Sequence, residues 1–354
     1  TCLYEGENCY IWGLGDAISE EEAKSYGEEF DAAVYPVDTE TFGQARFTEN
    51  GGKINLLFYS FNCSGNTMTL GYFRPYDLFS TEEAGAYVDV YQMNTDHAIV
   101  HINSQAKDYD DELVFSTMGH EFQHLICFSD VFAAGGSATL MRTWLNESMS
   151  AYAEDLLYPG SKDKNNYNIM FYASEAFRKG QSLYNFDVSQ DENLGAYGIV
   201  YLFSEYLADL SGEDIFSKIH SFWRENPAAV TEAQAIATTV PENVYSEIDK
   251  NYTYNSSVEG SFADEYEAWM SKLTLDFYLN TFQTDMANLG DYEEKCFELM
   301  QYNEVNPLDV EGGGRVFVQT KDNQYAVPTD ADDNLIYVGL DENFNIVDTY
   351  GVNE

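Results

Sequence analysis

"MGHEFQHLICFSD", residues 118–130, carries two of the chain's five histidines, His120 and His124, four positions apart with Glu121 between them. On a helix, positions i and i+4 lie one above the other on the same face. Both imidazoles can then point at one ion, each about 2 Å from it. Glu121 lies about 100° round the helix from His120, close enough to meet a water on that ion without entering its coordination shell. This is the mechanical content of the H-E-x-x-H pattern. The bland reading is a pair of satisfied core histidines, and the rest of the chain must separate the two.

The flanks predict the helix. Asp110 or Asp111 caps a segment running through "ELVFSTMGHEFQHLICF", with Leu113, Phe122, Leu125 and Ile126 among its apolar positions. Before it, "KINLLFYSF" (53–61), "YVDVYQM" (87–93) and "AIVHINS" (98–104) read as strands bounded by Gly, Asn or Asp. A helix is expected over 18–34, after the acidic start "SEEEAKSYGEEF". After it come helices over 138–158, ended by Pro159-Gly160, over 196–210, and near 213–225 and 261–283. The 196–210 stretch is apolar on most faces and is expected to be buried. Beyond about 305 the texture turns to β again in "GGGRVFVQT", "NQYAVPT", "NLIYVGL" and "FNIVDTYGV", and "VNPLDVEGGG" is the best boundary. The expectation is an α+β fold: a domain over 1–305, β-rich to about 125 and helical from 126, then a small β-rich module over 306–354.

Charge narrows the function classes. Seventeen basic residues face 61 acidic ones, a net of −44. Such a surface repels phosphate backbones and anionic lipid head groups, which argues against nucleic acid and membrane-surface partners. It suits cationic peptides, calcium or a salty habitat. No apolar run approaches the roughly 18 residues of a membrane span. The chain starts at Thr1 rather than Met, so removal of an N-terminal segment and a secreted or cell-surface location are expected. The five cysteines show no CxxC spacing. Cys2 and Cys9 can pair across a short loop in an oxidising compartment, and Cys127 reads as a buried thiol. "DADDN" (330–334) resembles a calcium loop only faintly, because Leu335 stands where the sharp-turn glycine belongs. Calcium is therefore unsupported.

A catalytic zinc needs a third protein ligand and an open position for water. Asp130, ten residues after His120, would serve only if a glycine broke the helix three residues after His124, and Cys127 stands there. Glu147, 23 residues after His124 in "TWLNESMSAYAED", is the better candidate. The loop "SDVFAAGGSA" is long enough to bring its helix back, and Ser148, Ser150 and Ala151 are small enough for close approach. The bland alternative is a solvated helix glutamate.

"GHEFQHLI" followed by "TWLNESMSAYAED" resembles the hyicolysin-like family of zinc metallopeptidases, within the glutamate-ligand zincins of the thermolysin-like clan. Weaker similarity in "EEFDAAVYPVDTETFG" (28–43), "KINLLFYSF", "GYF" (71–73) and "AYGIVYLFSEYLADLSG" (196–212) extends it over roughly residues 10–220. The resemblance implies a zincin-like catalytic domain with one zinc on His120, His124 and Glu147, and Glu121 as general base. Ser148 departs from the family's common Gly. Ala151 stands where thermolysin-like enzymes have an aspartate that orients a histidine, so that role falls to Glu154 or Asp155.

The implied chemistry is hydrolysis of protein or peptide substrates. Zinc lowers the pKa of its water to about 7, and Glu121 takes the proton and delivers it to the leaving amine. Tyr197, Tyr201 and His220 are candidates for the oxyanion donor. Strand 98–104 is expected to present an edge to an extended substrate, with His101 structural. Two other readings compete. A zinc aminopeptidase would need an acidic amino-terminus site, and no Gly-rich motif precedes the helix to supply it. A catalytically idle binding or adhesion protein would have no use for Glu121.

Overall fold

Five strands form a mixed sheet in the order β1-β2-β3-β5-β4. The strands are β1 (Cys2–Glu5), β2 (Cys9–Gly13), β3 (Ile54–Tyr59), β4 (Gly71–Tyr72) and β5 (Ile99–Asn103). β2, β3 and β5 run parallel, and β1 and β4 close the two edges antiparallel. Every residue of β3, "INLLFY", is buried, as a central parallel strand covered on both faces requires. This computed structural model describes residues 1–45, 52–61, 68–78, 98–133, 143–158, 182–184, 186, 195–226, 231–252, 264–281, 336–340 and 346–351.

The sheet carries helices on the amino-terminal side of the motif. Ser19 caps α1 (Glu20–Glu29) with a reciprocal capping box: Glu22 N donates to the Ser19 hydroxyl at 3.1 Å, and Ser19 N to Glu22 Oε2 at 2.7 Å. The helical path does not stop at residue 34. A π-turn over Phe30–Val34 leads directly into α2 (Tyr35–Thr41). Pro36 lacks an N–H, and it sits in the first turn of α2, where that donor is dispensable.

The motif helix α3 (Asp111–Ala133) packs against β5 and β4 and then against α4 (Thr143–Leu157). Phe122, Leu125 and Ile126 are buried, and Leu113 packs against the core. Phe122 anchors α3 through ring contacts with Phe30 at 5.2 Å and Tyr35 at 5.6 Å. Further on lie α5 (Gly195–Ser211), α6 (Ile215–Glu225), α7 (Glu232–Thr239), α8 (Glu242–Asn251) and α9 (Glu265–Thr281). α5 is buried along most of its length and packs on α4. The architecture is α+β. Near the carboxyl end, β6 (Ile336–Leu340) and β7 (Ile346–Gly351) pair antiparallel. The expected strand at 87–93, the "VNPLDVEGGG" boundary and the "DADDN" stretch lie outside the described residues.

Two expectations change. Cys2 and Cys9 are free, because the β1–β2 register sets Cys2 opposite Trp12, at the far end of β2 from Cys9. Strand β5 is not an edge: β4 covers it, pairing Gly71 with Ile102 and Tyr72 with His101. Cys127 is a buried free thiol. Among the described residues no helix is long and apolar enough to cross a membrane.

Candidate metal centre

His120 and His124 project from one face of α3, as the four-residue spacing demands, and α4 runs alongside that face. Glu147, Ser150 and Glu154 follow one another at helical spacing on α4, so a single stripe meets the histidines. At Gly119 the tip of the Leu157 side chain, from α4, occupies the space a Cβ would take, 2.2 Å from its position.

Three ligand atoms converge. His124 Nε2 lies 3.2 Å from His120 Nε2. His120 Nε2 lies 3.3 Å from Glu147 Oε2, and His124 Nε2 lies 3.6 Å from Glu147 Oε1. Taking one ligand atom from each residue, all three lie within 4.8 Å of one another, a group that could hold a metal ion. Among the described residues this is the group of histidine, cysteine and carboxylate side chains placed to hold a metal. Glu147 Oε2 is buried and takes part in no hydrogen bond, despite its closeness to His120. Its lone pairs are left for another partner.

The far nitrogen of each imidazole is occupied. His120 Nδ1 is 2.6 Å from Glu154 Oε1. Ser150 Oγ is 3.0 Å from His124 Nδ1 and donates its own proton to Gln123 Oε1 at 2.5 Å or to Asn146 O at 3.1 Å. The same hydroxyl is 3.3 Å from His124 Nε2, so it lies against the edge of the ring between the two nitrogens. With His120 Nδ1 held by Glu154 and Ser150 set against the His124 ring, the Nε2 atoms of both rings face Glu147, the disposition metal-binding histidines use. Glu154 takes the place that Ala151 leaves empty, two helical turns after Glu147 rather than one.

The electrostatics favour a cation. Burial would raise the Glu147 carboxyl, but His124 and His120 beside it hold it far below the usual carboxylate range. Burial opposes a charge on His120, yet Glu147 and Glu154 outweigh it and push its pKa well up. Glu121 is 5 % exposed, and its carboxyl is raised by burial, with His120 and His124 pulling the other way. A pocket that draws a proton onto an imidazole between carboxylates has the field a divalent ion would satisfy.

The other expected residues separate. Asp130 is buried elsewhere, 3.1 Å from His220 Nδ1 and 3.7 Å from Arg224 Nη1. His220 belongs to that pair. Tyr201 is buried on α5. Tyr197 is half-buried, and burial together with the charges of Glu147, Glu121 and Glu154 raises its phenol. Two further residues stand near the site. Ser150 is more than a small residue on the helix face, because its spacing from Glu147 and Glu154 places it on their stripe. Asp38, fully buried on α2, has no hydrogen-bond partner on either oxygen; burial pushes its carboxyl well up, against the pull of His120.

No family model matches the chain. Over 237 residues it is 30% identical to the neutral metalloprotease ShpI of Staphylococcus hyicus, a match covering 65% of this chain. The aligned part is 51% of that protein, so the chain spans about half the length of the curated relative it matches. The likeness supports placement among the metallopeptidases.

Proposed function

We propose that the chain is a zinc-dependent endopeptidase, secreted or at the cell surface, with His120, His124 and Glu147 as zinc ligands and Glu121 as general base. One observation carries the reading: ligand atoms of His120, His124 and Glu147, from two helices, converge within 4.8 Å of one another, with Glu154 and Ser150 against the two imidazoles. The similarity to a neutral metalloprotease supports a protein substrate.

Zinc in such a set supplies Lewis acidity, acidifying water and polarising a carbonyl oxygen. The chain's own residues do the rest. Glu121, with its carboxyl raised by burial, accepts the proton of the water that attacks the scissile carbonyl. It then donates that proton to the departing amide nitrogen, leaving a carboxylic acid and an amine. Tyr197, whose phenol feels the same carboxylates, is the donor we assign to the developing oxyanion, since His220 is committed to Asp130. Glu154 and Ser150 hold the imidazoles in place.

Metal analysis with digestion of casein, with and without chelator, tests this. About one zinc per chain and chelator-sensitive cleavage are expected; zinc-loaded protein that cleaves neither casein nor a broad peptide panel would sink the reading. We further propose that residues 306–354 form a module dispensable for chemistry. A chain shortened to end near 308 that binds zinc but cleaves nothing would refute that division.

A further inference from the structure

We infer that Gly71, on the edge strand β4, is a positioning residue for Glu121, its missing side chain leaving the slot in which the Glu121 side chain lies. The inference rests on the proposed role of Glu121 in peptide hydrolysis.

The slot is defined by three contacts. A Cβ on Gly71 would stand 2.7 Å from Thr117 Cγ2, 2.8 Å from Glu121 Cγ and 3.0 Å from Glu121 Oε1. The two carbon contacts are well inside the roughly 3.5–4.0 Å at which carbon atoms pack without strain. Backbone conformation is not the reason for glycine, since Gly71 is not among the residues with positive φ. Space is the reason, as expected where a strand glycine lets another group approach closely.

Neither wall can retreat. Thr117 and Glu121 are one turn apart on α3, and the Thr117 hydroxyl donates to Leu113 O at 2.6 Å, which fixes the direction of Cγ2. Opposite them, strand β4 is pinned to β5. Asn103 N donates to Leu70 O at 2.7 Å, and Asn103 Nδ2 to Thr69 O at 2.8 Å. Tyr72 stacks on His101 with ring centres 4.4 Å apart. His101 is in turn held by Asp77 at 3.0 Å, and Asp77 by Arg74 at 2.9 Å. The buried His101–Asp77 couple thus clamps the strand that bounds the carboxylate. A methyl group at position 71 has one way to be accommodated: Glu121 must move.

The test uses the full zinc-loaded chain and steady-state cleavage of a peptide that the wild type hydrolyses. For Gly71→Ala, bound zinc stays at the wild-type level and KM stays within about twofold, while kcat falls roughly 10- to 100-fold, the loss a small misplacement of a reacting group produces. Adding Thr117→Ser vacates the nearest contact while keeping a hydroxyl for Leu113, and part of the lost kcat returns. If Gly71→Ala does not fold, Gly71→Ala with Thr117→Ala is read in its place against Thr117→Ala alone, with the same fall expected in smaller measure. Wild-type kcat in the Gly71 variant, a fall matched by loss of zinc, or a fall that Thr117→Ser leaves untouched each overturns the inference. A wild type that cleaves nothing overturns the peptidase reading and this inference together; an active wild type with an equally active Gly71→Ala overturns this inference alone.

Discussion

His101 and His120 are both enclosed imidazoles with a carboxylate oxygen at hydrogen-bond distance, yet they belong to different kinds of site. At His101 both ring nitrogens are used: Nε2 lies 3.0 Å from Asp77 Oδ2 and Nδ1 lies 3.4 Å from the Tyr59 hydroxyl. Its side chain is 2 % exposed. At His120 Nδ1 is held by Glu154, and the side chain is 13 % exposed. Its Nε2 faces His124 Nε2 at 3.2 Å and Glu147 Oε2 at 3.3 Å, so three potential ligands crowd one point. His220 is fully buried beside Asp130 and flanked by the rings of Phe42 and Trp223; its Nε2 makes no hydrogen bond, but no carboxylate or second imidazole converges on it among the described residues. A histidine–carboxylate pair is therefore no sign of function by itself. What distinguishes the centre is one nitrogen spent on orientation and the other left convergent and reachable.

The sharpest way to break this contrast is to exchange the carboxylates. Glu147→Ala should strip zinc and all activity, while Asp130→Ala should keep zinc and lose stability, because it leaves His220 without its acceptor. The opposite pattern, read by metal analysis on the two purified variants, would dissolve the distinction. Next in size is Glu121→Gln. General base catalysis contributes roughly 10²–10⁴-fold, and kcat should fall by that much with zinc near one per chain. An equally active Gln variant would leave the metal site standing and remove its mechanism.

Glu154→Gln probes orientation alone. Partners of metal-bound histidines are worth about 10–100-fold in metal affinity, so a chelator competition should show zinc weakened by that range and not abolished. An unchanged affinity would put His120 in the same class as His101.

The smallest effect falls on the structural pair. Asp77→Ala leaves the buried His101 and Arg74 without their acceptor, a loss of about 1–3 kcal/mol in unfolding free energy with zinc content unchanged. Burial would raise the Asp77 carboxyl, but His101 and Arg74 outweigh it and hold it below its ordinary value. A carboxyl lowered in the folded state adds stability above its unfolded pKa of about 3.9, and that stability is lost as pH falls through the folded value. Denaturant midpoints measured against pH should therefore drop less steeply below about pH 4 in Asp77→Ala than in wild type. Parallel curves would contradict the pairing.

Much of this molecule is written locally. The spacing of His120 and His124 puts them on one face of any helix, because backbone geometry repeats every few residues, and the apolar pattern around them made that helix legible. The same is true of β3 and α5. The α1–α2 junction was not legible, since Pro36 reads as a stop until a π-turn is seen to precede it. Nor was the sheet edge: β4 is two residues long, too short for alternation to register, and its pairing with β5 is set by contacts distant in sequence.

Cys127 in place of a helix-breaking glycine already favoured Glu147 over Asp130, and tertiary packing is what brings the Glu147 carboxylate to the histidines. Asp130 and Glu147 both lie downstream at plausible distances, but the side chains on one helix diverge round its axis, while a second helix can be laid along the first. Laid along α3, α4 delivers Glu147, Ser150 and Glu154 from one stripe. Spacing constrains directions within an element. Where two elements meet depends on the shapes between them, which no local pattern encodes.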